Sequence, residues 1–316
     1  MIIPTMNRSH LLAEAVASVR RQFFPTSEYE IILVDNGSTD RTEELIKQLN
    51  QDGGKPICYV REERRGLHWA RHAGAKVAQG EVLAYIDDDC VVEPKWLAEL
   101  KRAYQELDAD AAGGKILIRW DREPPSWVIP YEEVLGKLDY GSEMMLLQAG
   151  QYINGGNFSI RRERLFEIGG FNPDQIDNYL IGDGETGLCD KIYRMGWRMI
   201  WVPSALVWHL QTVDRNATLR DLRRRFWNNG IANAYAILKR QPKGRCRLLC
   251  RSVRSFCHFI AYKLRVVRHH ILRNDDAYRW CKFQEAYHKA QVVYYLRLIW
   301  DRRLRWVVWR DDWINE

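Results

Sequence analysis

The residues in this sequence best placed to do chemistry are three consecutive carboxylates, Asp87, Asp88 and Asp89, which close the apolar run in "EVLAYIDDD". Like charges at adjacent positions raise one another's pKa unless a cation or solvent relieves them. The triplet is therefore either a place where a cation is held or a solvated turn whose Asp side chains bond local backbone. Asp35 poses the same choice, because it ends a second apolar run, "EIILVD", and precedes Asn36-Gly37. An Asx turn and a ligand contact both fit it.

The elements around these residues narrow the choice. "MIIP" reads as a strand, and Ser9 can cap a helix carrying Leu12, Val16 and Val19 at helical spacing. "EIILVD" is a buried strand, and Asp40 with Glu43 makes a capping-box-like start to the next helix. "ICYV" is a third strand, followed by a helix with Trp69, Ala73 and Val77 that stops at Gly80. Val82 to Ile86 form a fourth strand, and residues 94 to 107 a helix. Near-continuous apolar strands alternating with helices predict a parallel sheet covered on both faces. Such sheets bind ligands beyond the carboxyl ends of their strands. Asp35 and Asp87 to Asp89 fall on that edge.

Downstream, "GGKILIR" reads as strand and "WDREPPSWVIP" as a loop able to wall a pocket. "GETGLCDKIYRMG" has helical spacing, and "MIWVP" is a last strand. From about residue 215 the chain turns helical, basic and rich in Trp. Residues 210 to 316 carry 24 Lys and Arg against 9 Asp and Glu, while residues 1 to 209 carry 24 against 32. An acidic body with a basic tail suggests a polyanionic partner, an anionic membrane surface or nucleic acid. In 251 to 271, Val253, Phe256, Cys257, Ile260, Leu264, Val267 and Ile271 share one helical face flanked by Arg254, Arg265 and Arg268. That helix either lies in a membrane interface or packs on the body with its cations in water.

No run of about 18 apolar residues is present, and Asn7, Arg8 and His10 interrupt the apolar start, so no signal peptide or spanning helix is expected. A cytoplasmic protein, either soluble or peripheral on the cytoplasmic face of a membrane, is the expectation. Seven scattered cysteines without paired zinc-site spacing suggest reduced, mostly buried thiols.

Taken in order, "IIPTMNR", "VDNGSTDRT", "GLHWARHAGAKVAQGEVLAYIDDD", "NGGNFSIRRERLFEIGGF", "GDGETGLCDKIYRMGW" and "VPSALVWH" resemble the motifs of family 2 glycosyltransferases of the GT-A fold. The resemblance covers about residues 2 to 210. It implies a Rossmann-like, mostly parallel sheet flanked by helices in residues 1–214, while composition alone makes residues 215–316 a basic, Trp-rich helical extension, with membrane association one reading of it. It also implies inverting transfer of a sugar from a nucleotide diphosphate sugar, a UDP-sugar favoured, to a hydroxyl on a glycan or lipid-linked acceptor. Polysaccharide or glycolipid assembly is the implied setting.

Displacing a nucleoside diphosphate from an anomeric carbon leaves growing charge on phosphate, which a cation such as Mn²⁺ or Mg²⁺ on carboxylates neutralises. The triplet fits the family's D-x-D motif, so Asp89 and Asp87 take the metal and nucleotide-sugar roles, with Asp88 on the donor sugar or solvated. His209 is implied at the metal or diphosphate, or is structural. Pro4, Thr5, Asn7, Asp35 and Arg71 are implied to line the nucleotide pocket, with a surface salt bridge as the plain alternative for Arg71. Gly155 and Gly156 would allow close backbone approach, and Asn157 would lie near the donor sugar or acceptor. Trp120 and Trp127 can stack on an acceptor sugar or simply pack.

The family's acidic pattern before its catalytic helix is matched only loosely by "GDGETGL". Ungapped through Leu188, Glu185 falls where the general base belongs, and Asp183 stands second. Both can instead favour the positive end of a helix dipole. A nucleotidyltransferase is the nearest alternative enzyme, although "PTMNRSH" has no Gly for a phosphate loop. From another class, the basic half could be a nucleic-acid- or membrane-binding module; with the resemblance, nucleic acid is not expected.

Overall fold

The computed structural model describes residues 1–176, 179–180, 182–240 and 244–315. The first elements alternate as their apolar spacing predicts: β1 (Ile2–Thr5), α1 (Ser9–Arg20), β2 (Ile31–Asp35), α2 (Thr42–Gln51), β3 (Ile57–Arg61), α3 (Leu67–Val77) and β4 (Val82–Tyr85). β1 and β2 are buried along their whole length, as strands covered on both faces must be. Ser9 begins α1 rather than capping it. Asp40 instead serves two helices, its carboxylate accepting from the backbone of Ser9 at 3.1 Å and of Thr42 at 3.1 Å.

After the carboxylate triplet come β5 (Cys90–Val92), which the apolar pattern does not announce, then α4 (Trp96–Glu106) and β6 (Ala111–Trp120). β7 (Met145–Leu146), β8 (Phe158–Arg161), α5 (Arg162–Glu167), the pair β9 (Gln175–Ile176) and β10 (Tyr179–Leu180), α6 (Gly184–Arg194) and β11 (Met199–Gln211) complete the body. The main sheet runs β3-β2-β1-β4-β8-β6-β11-β5 among the described residues, with β7 beside β11. Neighbours from β3 to β4 are parallel, as are β6 and β11; β8 and β5 run antiparallel to theirs.

One connection forces the sheet to curl. β4 and β5 are joined by residues 86 to 89, yet β8, β6 and β11 lie between them in the sheet order. Five peptide steps reach about 18 Å at full stretch, and four strand spacings are about 19 Å. The connection is not stretched, because Cys90 N donates to Asp87 O at 3.1 Å. Only a curled sheet brings those strands together, and the turn holding the three carboxylates sits where it folds over. β11 is also longer than "MIWVP" suggests. It absorbs an irregularity between Val202 and Val207 and runs on through His209, which pairs with Cys90 and Ile118. His209 therefore lies within the strand and not after it.

The extension comprises α7 (Val213–Asn216), α8 (Leu219–Lys239), α9 (Arg245–Ile271), α10 (Asp275–Trp300) and α11 (Arg302–Trp309). Thr218 and Asn274 cap α8 and α10 by accepting from Asp221 N and Ala277 N. Phe226 of α8 and Phe283 of α10 stack at 5.0 Å against the ring of Tyr131, in the proline-rich segment of the body. Trp120 and Trp127 pack into this same cluster, and Trp120 Nε1 donates to Glu132, so both tryptophans serve packing. The last residues return to the body. Trp313 N donates to Gly169 O at 2.8 Å, Lys191 Nζ donates to Gly170 O and Asp311 O, and Ile314 joins the main core.

No helix among the described residues is long and apolar enough to cross a membrane. All seven cysteines are free, but Cys58, Cys246, Cys250 and Cys257 are exposed, which corrects the expectation of mostly buried thiols. Three of those four lie on α9, whose outer face is uncovered.

Candidate active site

The turn after β4 sorts its three carboxylates by what each touches. Asp88 is buried, accepting from Thr5 Oγ1 at 2.7 Å and from Arg8 Nη1 at 2.9 Å. Asp89 accepts from the same Arg8 nitrogen at 2.8 Å, and its other oxygen lies 3.3 Å from His209 Nε2. Asp87 points elsewhere, 3.4 Å from Arg71 Nη2. Arg71 reaches Glu185 with its other terminal nitrogen at 3.3 Å. One guanidinium thus joins the carboxylate after β4 to the carboxylate at the start of α6.

Arg71 is 3% exposed and is held from every side. It lies over the ring of Phe171 at 5.0 Å. A Cβ on Gly155 would come within 2.1 Å of its Nη2, so this glycine exists for a close approach, and the group approached is Arg71. Gly156 lies against Asp87 in the same way, with a Cβ there 3.2 Å from Oδ2. Arg71 is neither a surface salt bridge nor open to a nucleotide. It is the buried counter-charge of the site.

Other expected residues lie where their chemistry is already used. Asp35 is buried and closes an Asx-type turn by accepting from Ser38 N at 2.7 Å, and it also accepts from Tyr59 Oη at 2.9 Å. Pro4 is buried, and Asn7, at φ +56°, accepts from Thr39 N and Asp40 N. Asn157 departs furthest from expectation. It is fully enclosed, accepting from Trp96 Nε1 at 2.8 Å and donating to Lys115 O and Ala205 O at 3.1 and 2.7 Å, so its carboxamide ties the core together and does not face a sugar. Asp183 accepts from Asn172 Nδ2 at 2.9 Å and takes no part in the Arg71 group. Of the two acidic candidates on "GDGETGL", Glu185 alone joins the triplet.

Burial and charge set the protonation of these groups. Burial pushes Asp88 up to about 6 against the pull of Arg8. Asp87 is raised by burial, with Arg71 opposing and Asp89 adding to the rise. In Asp89 burial acts upward too, but the hydrogen bond and charge of His209, with Arg8, bring it below the ordinary carboxylate range. Asp183 is lifted by burial to about 6. Cys90 is pushed far up by burial beside Asp89 and Asp87 and stays a thiol.

The donors converging at Asp89 suit a divalent cation. Donor atoms of Asp89, Cys90 and His209 lie within 4.8 Å of one another, and an oxygen-preferring ion such as Mn²⁺ or Mg²⁺ would take the carboxylate and imidazole in preference to the soft sulfur. His209 is held there by Gly136, where at φ +104° a Cβ would meet Nδ1 at 2.9 Å.

Two cations of the site escape a reading of the sequence alone. Arg8 binds two carboxylates of the triplet at once. Its only local signal is its place beside Asn7 on the ligand edge. Arg225, on α8, is largely buried, with Nη2 on Asn216 and Nε without a partner. Its charge is disfavoured first by burial and then by Arg224, while Asp89 supports it. Nothing in "DLRRRFW" marks which arginine turns inward.

A curled sheet with this strand order, flanked by helices and carrying its carboxylates at the fold, is the GT-A glycosyltransferase architecture. The mannosyltransferase PcManGT from Pyrobaculum calidifontis, in complex with GDP-Man and Mn²⁺, matches with a TM-score of 0.63 at 19% identity, over 96% of this chain and 87% of its own. Residues 1–349 of S. aureus TarS with UDP-GlcNAc match with a TM-score of 0.53 at 15% identity, over 89% of each chain. In sequence, residues 1–169 match the profile of Glycosyl transferase family 2, and the chain belongs to that family. Glucosyl-dolichyl phosphate glucuronosyltransferase from Haloferax volcanii is 28% identical over 219 residues, covering 65% of this chain and 66% of the relative. Glycosyltransferase AglE from the same organism is 30% identical over 116 residues, covering 37% of this chain and 38% of the relative. The chain thus spans less than two thirds of the length of these relatives.

Proposed function

We propose that the protein transfers a sugar, with inversion, from a nucleotide diphosphate sugar to a hydroxyl acceptor. The observation that carries this reading is the Arg71 bridge, which sets Glu185 beside Asp87 at the carboxyl edge of the sheet. A general base must stand next to the reacting carbon, and the residues that meet the leaving phosphates must stand on the other side of it. Glu185 takes the acceptor's proton. Arg71 pairs with that carboxylate at 3.3 Å and stands between it and Asp87. Asp88 anchors Arg8, and Arg8 and Arg225 supply positive charge toward the diphosphate. Asp89 and His209, with Asp87, would hold Mn²⁺ or Mg²⁺, which when bound would supply positive charge against that growing on the leaving group.

A UDP-sugar is the favoured donor. A lipid-linked or glycan acceptor is supported by the dolichyl phosphate in the name of one relative. Thermal stabilisation by a panel of nucleotide sugars, with and without Mn²⁺ or Mg²⁺, tests the donor. Turnover of the stabilising donor is then compared in Asp89→Ala and Glu185→Gln. The reading expects metal-dependent stabilisation that Asp89→Ala loses, and Glu185→Gln that binds donor but does not turn over. A protein stabilised by no nucleotide sugar with either metal would overturn it.

A further inference from the structure

Helix α9 is built inside out for a helix in water. The residues it turns toward the protein include Leu248, Ser252, Ser255 and Val266, two of them serines, and Ser255 Oγ donates to Gln291 Oε1 of α10 at 3.1 Å. Its outer face carries Leu249, Val253, Phe256, Ile260, Leu264, Val267 and Ile271, between 37 and 72% exposed. Their spacing of four, three, four, four, three and four residues draws a nearly straight stripe. Over the 22 residue steps from Leu249 to Ile271 its length is roughly 33 Å at about 1.5 Å per residue. Soluble surfaces rarely leave a continuous apolar patch of that length uncovered.

The charge on the same helix selects what covers the stripe. Within Arg245–Ile271 there are seven Lys and Arg, three His, and no Asp or Glu. At about 100° per residue, Arg247, Arg254, Arg265 and Arg268 form a file along one side of the stripe, and Lys263 lies on the other. A second copy of this helix would set seven cations against seven with no carboxylate between them, which paired helices do not tolerate. The helix is too charged to cross a bilayer. Aliphatic side chains make a poor surface for stacking nucleic-acid bases. An apolar stripe bordered by cations matches the boundary of an anionic lipid layer, where the side chains enter the acyl region and the cations meet headgroups.

We infer that α9 is a membrane-docking helix that lies in the plane of an anionic lipid surface. This inference stands on α9 alone and does not depend on the transferase reading. Exposed Cys246, Cys250 and Cys257 lie along the border between stripe and cations, about 60 to 100° round from Leu249 on a helical wheel. They provide a reporter at the right depth.

The test is co-sedimentation of the full chain with phosphatidylcholine vesicles and with vesicles containing phosphatidylglycerol. Binding to the anionic vesicles is expected, weakened by salt. Phe256→Ser with Leu264→Ser, both on the exposed face, should lower the partition coefficient more than tenfold without moving the melting midpoint. Arg254→Gln with Arg268→Gln should lower it about 25-fold, from about fivefold per cation at an anionic surface. An environment-sensitive dye on Cys257, with Cys58, Cys246 and Cys250 changed to Ser, should shift to the blue on vesicles. No binding to either vesicle would overturn the inference, as would binding untouched by the stripe variant. Self-association abolished by Phe256→Ser and Leu264→Ser, in a chain that ignores vesicles, would assign the face to a second copy instead.

Discussion

Replacing Arg71 by methionine isolates the charge balance of the site. Methionine keeps an unbranched side chain over Phe171 and removes the cation that Asp87 and Glu185 share at 3.4 and 3.3 Å. Breaking a buried ion pair from one side costs about 3–5 kcal/mol, because the remaining charge stays buried. The side chains of Asp87 and Glu185 keep 29 and 25% of their surface exposed, and solvent screening places the expected loss at the lower end. With unfolding entropy near 2.1 cal/mol/K per residue, a chain of 316 residues loses about 1.5 °C per kcal/mol. The melting midpoint should fall by roughly 5 °C at pH 7. In the variant Asp87, already raised by burial, loses the opposing charge of Arg71 and holds its proton to higher pH than in the unfolded chain, where a carboxyl titrates near 4. Between about pH 4 and 7 the folded variant therefore binds protons that its unfolded state has released, so its deficit against wild type shrinks as pH falls. Calorimetry at pH 7 and pH 5 measures both effects. An unchanged midpoint, or the same loss at both pH values, would refute the role of Arg71 as counter-charge.

Gly155→Ala should act through the same arginine, since its Cβ would overlap Nη2 at 2.1 Å. A fall in turnover of at least tenfold is expected, with strong non-additivity in a double-mutant cycle with Arg71→Met. Asn157→Ala should cost about 3 kcal/mol, because Trp96 Nε1 and two carbonyl oxygens lose a partner in the core. Its donor KM should not change, and a raised KM with normal stability would return Asn157 to the sugar site. Asp183→Asn should remove a titration: the folded carboxyl, at about 6, keeps a proton that the unfolded chain releases near 3.8. Stability of the wild type therefore falls as pH rises through that window, by about 3 kcal/mol at about 1.36 kcal/mol per pH unit. The Asn variant should lack this slope and retain turnover, and loss of turnover with stability kept would make Asp183 the base.

The alternation of apolar runs and helical spacing was legible because burial on both faces of a strand leaves few residue types to choose from, as "IIPT" and "IILVD" show. β5 was hidden because three residues, Cys90 to Val92, carry no period of their own and are strand only through β11. Within the site, Asp87 and Asp89 could be placed because a strand-end position is a local property. Whether Arg71 faces solvent, a nucleotide or two carboxylates depends on where α6 returns, more than 100 residues later, and no spacing records that. Asn157 was misplaced for the same reason: its partners Trp96, Lys115 and Ala205 come from three separate elements. Glu185 and Asp183 could be named together from sequence, but only α6's position against α3 separates them.

The return of the last residues to Gly169 and Gly170 makes the chain a closed loop in mechanical terms. Lys191 clamps Gly170 and Asp311, Trp313 is bonded to Gly169, and the next residue along, Phe171, is the platform beneath Arg71. Composition changes near residue 215, but the main core includes Ile314 from beyond it. Cutting there would remove a support of the segment beneath Arg71, so swapping extensions between relatives should carry residues 310 to 315 along or lose the alignment of Arg71 with Asp87 and Glu185. Trp313 and Lys191 thus tie the C-terminal residues to the segment that carries Phe171 beneath Arg71.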